Sequence, residues 1–445
     1  MFPPDFARGK PRRFRLPTDS GDLASRYSGL GPSRPLNWVY QHVNDLRVTD
    51  VLLEHEYLDR DYRDEYRAFY AQTYRWVPDR CERLHFWSHD MYVGYCSIRP
   101  IKGRPVCRTM LDPGEEYEHE LACVVRASAS PYGRQFHVPA FPFISQDRQY
   151  GRCAQAVIWM IAHYHHLRHG AAERFMSDIV RAASETESER ILPSKGLTDE
   201  QVGGTFRRLD LGALRYDVAE LNRDELEDIV RRYLNSGMPL AVGTPGHLTA
   251  VIGAGYDAHG RLCVIQCDDE HGAYVRRPID LDSADHRWEV LFVPLPGRIF
   301  LAIEEVAATA REALKRLAEA YGVSEALSQR SVRFREYVVD VRDYKHRLFE
   351  RGLPSGAAEA HAQIASARWL WIVEVQDATL AEHSASCVLG ELALDATSDA
   401  MDLIFLFANL PGLRAHWPRD HGLPEVVMDG THDFSPYETG TALNI

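Results

Sequence analysis

At Cys153 a polar loop gives way to an apolar helix. Residues 143–161 read Phe-Ile-Ser-Gln-Asp-Arg-Gln-Tyr-Gly-Arg-Cys-Ala-Gln-Ala-Val-Ile-Trp-Met-Ile. Ala156, Val157, Met160, Ile161 and Tyr164 recur at helical spacing, which predicts a helix over residues 152–167. Cys153 then lies in the first turn, where unsatisfied backbone N–H groups favour negative charge. Gly151 just before it permits a tight approach that points the sulfur outward.

A thiol is a useful nucleophile only as thiolate, so its free pKa of roughly 8.5 has to fall. A nearby imidazole does this, and the sequence offers one. Pro245-Gly246-His247 leads into an apolar strand over residues 248–256, and a turn containing Gly260 leads into a second strand over residues 262–267. His247 is placed to take the thiol proton and return it to a leaving group. Asp268 and Asp269 follow the second strand. Neighbours on a strand face opposite sides, so one of them can hold the His247 tautomer. Asp268 is preferred, which leaves Asp269 solvated or bound to the loop at His271 and Gly272. A tetrahedral oxyanion needs donors. The backbone N–H of Cys153 and the side-chain amide of Gln146 fill that need, with Gln149 as a rival to Gln146. The candidate catalytic set is Cys153, His247, Asp268 and Gln146.

This ordered set resembles the papain-like clan, and most nearly the peptidase C39-like group of bacterial cysteine peptidases. The pattern there is Gln, a short loop, Cys opening a helix, His on a strand before a Gly-Tyr-Asp turn, then Asp. Gly255-Tyr256-Asp257 matches that turn, and the Gly-Leu-Thr-Asp-Glu-Gln run from Gly196 to Gln201 resembles the start of the connecting helix. The resemblance covers residues 141 to 280. It departs at Ala154, where Gly is common, and in a Gln-to-Cys interval about one residue longer than the pattern. It implies a helix bundle with a twisted antiparallel sheet. It also implies hydrolysis of a peptide or isopeptide bond in a protein or peptide substrate, through an acyl-thioester and without a cofactor. Two alternatives stay open: an acyl or peptidyl transferase with the same triad, and a non-catalytic recognition module on a peptidase-like fold.

Around this segment the chain reads as α+β throughout. Residues 1–35 form a basic Pro/Gly-rich tail, with Arg12, Arg13 and Arg15 as a solvated cluster. Residues 36–140 form an N-terminal α+β domain: a strand over 49–56, a helix over 59–74 with an aromatic stripe, and strands over 83–87, 92–98, 106–111 and 120–127. Residues 141–300 carry the motif set, with further helices over 172–184, 199–209 and 223–234. Residues 301–445 form a C-terminal α/β region: a helix over 303–321, strands over 369–375, 388–394 and 402–408, and loops from Gly412 onward. The flanking regions point to control by a regulatory protein partner.

A net charge of −13 argues against a general nucleic-acid binder. No apolar run approaches the ~20 residues of a membrane span, and no secretory signal opens the chain, so a cytoplasmic protein without a membrane partner is expected. The eight cysteines form no disulfide framework, and Cys81, Cys96, Cys107, Cys123, Cys263 and Cys267 read as packing residues. His165 and His169, one turn apart, lack a third metal ligand at a convincing spacing and read with His163 and His166 as a solvated helix end. No metal is expected. The acidic runs Glu115, Glu116, Glu118, Glu120 and Glu185, Glu187, Glu189 read as solvated faces. No phosphate-binding glycine loop is present.

Overall fold

A computed structural model of the chain describes residues 12–16, 18, 20–117, 120–185, 196–322, 330–353, 356–398, 405–418, 424–428 and 436–441. Residues 1–11, Glu118, Glu187, Glu189 and the first part of the strand expected at 402–408 lie outside them. The protein is α+β, with antiparallel sheets. It divides into two compact units: residues 1–226 with 238–294, and residues 227–237 with 295–445. Among the described residues no helix is long and apolar enough to cross a membrane.

Among the described residues the first unit holds two large sheets and a two-stranded one. One large sheet runs in chain order through the strands Arg12–Arg15, Asp50–Tyr57, Cys81–Ser88, Met91–Ile98 and Val106–Leu111. The other has the order Gly272–Pro278, Leu262–Asp268, His247–Tyr256, Leu240–Thr244, Val290–Pro296, Leu211–Asp217. The helix Cys153–His169 packs on the strand His247–Tyr256 and is buried from Ala154 through His165. Such all-round burial explains why its sequence is apolar on every face.

Residues 36–140 and 141–300, expected as separate domains, share this one unit as far as Pro294, apart from residues 227–237. Thr109 bridges Phe143, and Leu121 bridges Gly253. The second approach requires glycine, because a Cβ at position 253 would fall 2.2 Å from the Glu120 carbonyl oxygen. Buried polar groups join the two segments as well. The Trp159 indole N–H donates to Asp61 at 2.9 Å, and Arg99 donates to both Glu65 and the Ser145 carbonyl. Interior charges of this kind persist only when paired.

The expected N-terminal tail is instead folded in over its described part. Arg12–Arg15 is an edge strand with Phe14 buried, and Arg13 pairs with Asp50 at 2.7 Å. Helices Ser20–Tyr27 and Arg34–Asp45 follow, burying Leu23, Tyr27, Leu36, Val39 and Val43. The helix expected over 59–74 stops at Ala68, and the aromatic stripe continues in a short 3₁₀ turn, Tyr70–Gln72. The helix over 172–184 begins at Met176, and the strand over 120–127 shrinks to Val125–Ala129, paired with Phe136–Ala140. His163 and His165 are buried, not solvated, because strands and neighbouring helices pack on this part of the helix. Burial lowers both imidazoles, His165 to about 4, and His163 stacks on Trp159 with ring centroids 4.8 Å apart. Glu120 likewise leaves solvent to pair with Arg276 at 2.8 Å.

The second unit is an antiparallel sheet in the order Val332–Asp340, Trp369–Asp377, Ser386–Asp395, Phe405–Leu410, Leu413–His416, Glu425–Met428. Helix Ile303–Ala320 and residues 227–237 belong with it. Antiparallel pairing makes this an α+β region, which corrects the α/β expectation, and strands continue past Gly412 where loops were expected. Sequential hairpins account for both differences, since they need no helical crossover. Glu374 and Glu391, cross-strand partners, both accept from Arg351 at 2.9 Å in the interior.

Candidate functional site

Three local devices assemble the site. The first is the loop ahead of Cys153. Asp147 Oδ1 accepts the backbone N–H groups of Gln149, Tyr150 and Gly151 at 3.1, 3.0 and 2.7 Å, while the Tyr70 hydroxyl donates to Oδ2. This carboxylate organises the turn that delivers Cys153 to the first position of its helix. Gly151 packs closely here: a Cβ would meet the Met176 sulfur at 3.1 Å, and the Met176 side chain would have to give way slightly. The second device is a tight turn. Pro245 and Gly246 connect Thr244 to His247, which are cross-strand partners, and Gly246 has φ +73°. A Pro-Gly pair suits a turn whose second central residue has positive φ, and it puts His247 at the very start of its strand.

The third device is the end of the neighbouring strand. Asp268 Oδ1 lies 3.1 Å from His247 Nε2 and also accepts the Glu270 backbone N–H at 2.9 Å. Its Oδ2 lies 2.9 Å from His271 Nδ1. Burial opposes the charge of Asp268, but these donors outweigh it and hold the carboxyl well below its usual range. His247 mirrors this. Burial opposes its charge, yet the hydrogen bond to Asp268 and the nearby Cys153 sulfur raise it to about 11. With Nε2 turned to Asp268, Nδ1 is the nitrogen left for sulfur.

The four residues singled out from the sequence therefore meet. Cys153, His247, Asp268 and Gln146 all line one cleft of about 690 Å³. All eight cysteines are free, and Cys153 alone is not buried. Gln146 is buried at the cleft wall and its amide donates to Glu270 at 2.8 Å. Gln149 is exposed and does not line the cleft. Asp269, expected to be solvated or bound to the loop, is fully buried, and neither of its oxygens has a hydrogen-bond partner among the described residues. Gln266 and Asp268 line the cleft and Asp269 does not, as the alternation of a strand requires. Burial raises its carboxyl to about 7.

Sequence reasoning missed Asp147, Glu270, Arg104 and Arg148. Glu270 accepts from Gln146, from Arg104 at 3.0 Å and from Arg148. An Asp four residues before a glycine is a readable turn signal. The Arg104–Glu270 pair spans distant parts of the chain and had none. Among the described residues, His247, Asp268 and Asp269 are the group whose ligand-type atoms come close enough for a metal, within 4.8 Å of one another. Two of the three already satisfy each other. The His165 and His169 rings, 5.4 Å apart, gain no carboxylate or thiol in such a group.

No protein-family model matches the chain, and no curated protein matches it.

Proposed function

We propose that the protein is a cysteine hydrolase of peptide or isopeptide bonds with a papain-like arrangement, in which Cys153 is the nucleophile, His247 the acid and base, Asp268 the residue that orients His247, and Gln146 an oxyanion donor. The observation that carries this reading is the pairing of His247 with the doubly anchored Asp268 in one cleft with Cys153, which stands at the first position of its helix.

Each step has a group to perform it. The thiol proton already rests on His247, whose charge is favoured, and the thiolate sulfur bonds to the carbonyl carbon. Charge then develops on the carbonyl oxygen, which the Cys153 backbone N–H and the Gln146 amide receive. Glu270 engages one N–H of that amide and leaves the other free to donate. The carbon–nitrogen bond breaks, and the amine departs with the proton held by His247. Water attacks the thioester, His247 accepts its proton, and the acid is released as the thiol re-forms.

The test is covalent labelling with a thiol-directed peptidyl electrophile, together with mass spectrometry of a peptide mixture incubated with the protein. Wild type is expected to be labelled once, at Cys153, and to cleave peptides. Cys153→Ala should lose both, with turnover down at least ~10³-fold. Equal labelling of Cys153→Ala, or cleavage that survives the substitution, refutes the assignment. Products carrying an added amine would redirect it to acyl transfer.

A further inference from the structure

Beyond His247 the cleft floor carries polar groups that the relay does not use. His247 and Thr249 alternate along one strand and so share a face with Val251. Val251 stands opposite Gln266, and Val264, two residues from Gln266, stands opposite Arg277. Cross-strand partners share a face, so Thr249, Gln266 and Arg277 project on the same side as His247, and all three line the cleft. Thr249 and Gln266 are each 5% exposed. The Thr249 hydroxyl is buried without a partner. The Gln266 and Arg277 side chains make no hydrogen bond or ion pair among the described residues.

Among the described residues lining the cleft, the Thr249 hydroxyl is the buried polar atom without a partner, while Arg277 is half-buried; an orphan of this kind costs stability and persists where a ligand completes it. The acids of the cleft do not neutralise Arg277. Asp268 is held by His247 and His271, and Glu270 by Arg104 and Arg148. Asp280 accepts the backbone N–H groups of Asp282 and Ser283 at 3.0 and 2.9 Å, and Asp285 is exposed at the rim. What remains is a guanidinium, an amide and a hydroxyl, all able to donate. That donor set matches a carboxylate.

We propose that Thr249, Gln266 and Arg277 form a subsite that recognises a carboxylate on the substrate peptide, so that the cleft selects acidic peptides. The proposal rests on the peptidase reading for its substrate, but its test does not need turnover. The carboxylate belongs either to an acidic side chain or to the peptide's own C-terminus.

The probes are bromoacetyl tetrapeptide amides in which one glutamate is walked along glycines, each paired with its glutamine twin. The Cys153 thiolate displaces bromide, and the rate is read from intact mass. One glutamate position is expected to label wild type about tenfold faster than its twin. In Arg277→Gln the ratio should fall to about one, and Arg277→Lys should keep a preference. The glutamine twin in each variant reports the thiol's own reactivity, so the ratio is internally controlled. The twins made as C-terminal free acids separate the two sources: a gain confined to them places the carboxylate at the chain end. No preference at any position in either series, or one that persists in Arg277→Gln, overturns the subsite. A clear preference in a protein that cleaves no peptide supports the subsite and counts against the peptidase reading. Cleavage without preference overturns the subsite alone.

Discussion

Two carboxyls adjacent in the chain are held in opposite states. Asp268 has a partner on each oxygen and stays charged, whereas Asp269 has none among the described residues and its burial favours the neutral acid. The raised Asp269 value means that the folded state binds the extra proton. Its unfavourable effect is absent near pH 4, grows as the unfolded-state group ionises, and is complete once pH passes about 7. His247 behaves differently: its favoured charge contributes fully below the free imidazole value of ~6.5 and is lost as pH climbs through about 11. Asp268, held low, contributes above ~3.9 and loses that contribution on acidification. Asp269→Asn should therefore leave thermal stability unchanged at pH 4 and raise it at pH 8, by about 1–3 kcal/mol. Paired melting curves at the two pH values check the sign. A gain that is equal at both would point to packing instead.

At the scale of elements, the loop into the helix Cys153–His169 depends on a single side chain. Asp147 holds three backbone N–H groups and the Tyr70 hydroxyl, and it is buried. Asp147→Asn keeps an acceptor at Oδ1 and should be mild. Asp147→Ala strands buried donors and should cost about 1–3 kcal/mol of stability. It should also slow labelling of Cys153 by a neutral haloacetamide more than a remote substitution of equal destabilisation does. Urea unfolding together with labelling rates separates the two effects. The helix itself was legible because an apolar run of that length has one good solution, and the strands bearing His247 and Asp268 were legible because Gly246 and Gly260 mark their ends. The start of the chain was misread: six prolines and four glycines within residues 1–35 signal a strap, yet Phe14, Leu23 and Tyr27 supply the apolar area that folds its described part onto a sheet edge.

For the whole molecule, the division into units does not follow the chain. Residues 227–237 belong with 295–445, although residues 238–294 return to the first unit. Ile229, Val230, Tyr233 and Leu234 are buried, and Tyr233 packs on Trp371 with ring centroids 6.4 Å apart. A fragment ending at Pro294 keeps Cys153, His247, Asp268 and Gln146 but exposes that apolar segment. It should melt lower than the full chain and aggregate on heating, since four large side chains return to water at about 1.5–3 kcal/mol each. Differential scanning calorimetry and light scattering on the two chains decide it. Equal melting temperatures would mean that the segment is covered in another way.

Local patterns along the chain were enough to say which side chains could do chemistry here. A thiol at the start of an apolar helix, an imidazole after a Pro-Gly turn and a carboxylate at the end of the next strand are local patterns, each readable from a dozen residues. Tertiary structure decided which of Asp268 and Asp269 meets His247, because strand alternation puts the two on opposite sides and only the packed sheet fixes which side is the cleft. It alone brought Arg104 to Glu270 and turned Thr249, Gln266 and Arg277 toward one cleft. Those contacts depend on register and on closure across distant segments, where the free energy comes from packing the whole unit and leaves no periodic trace in the chain.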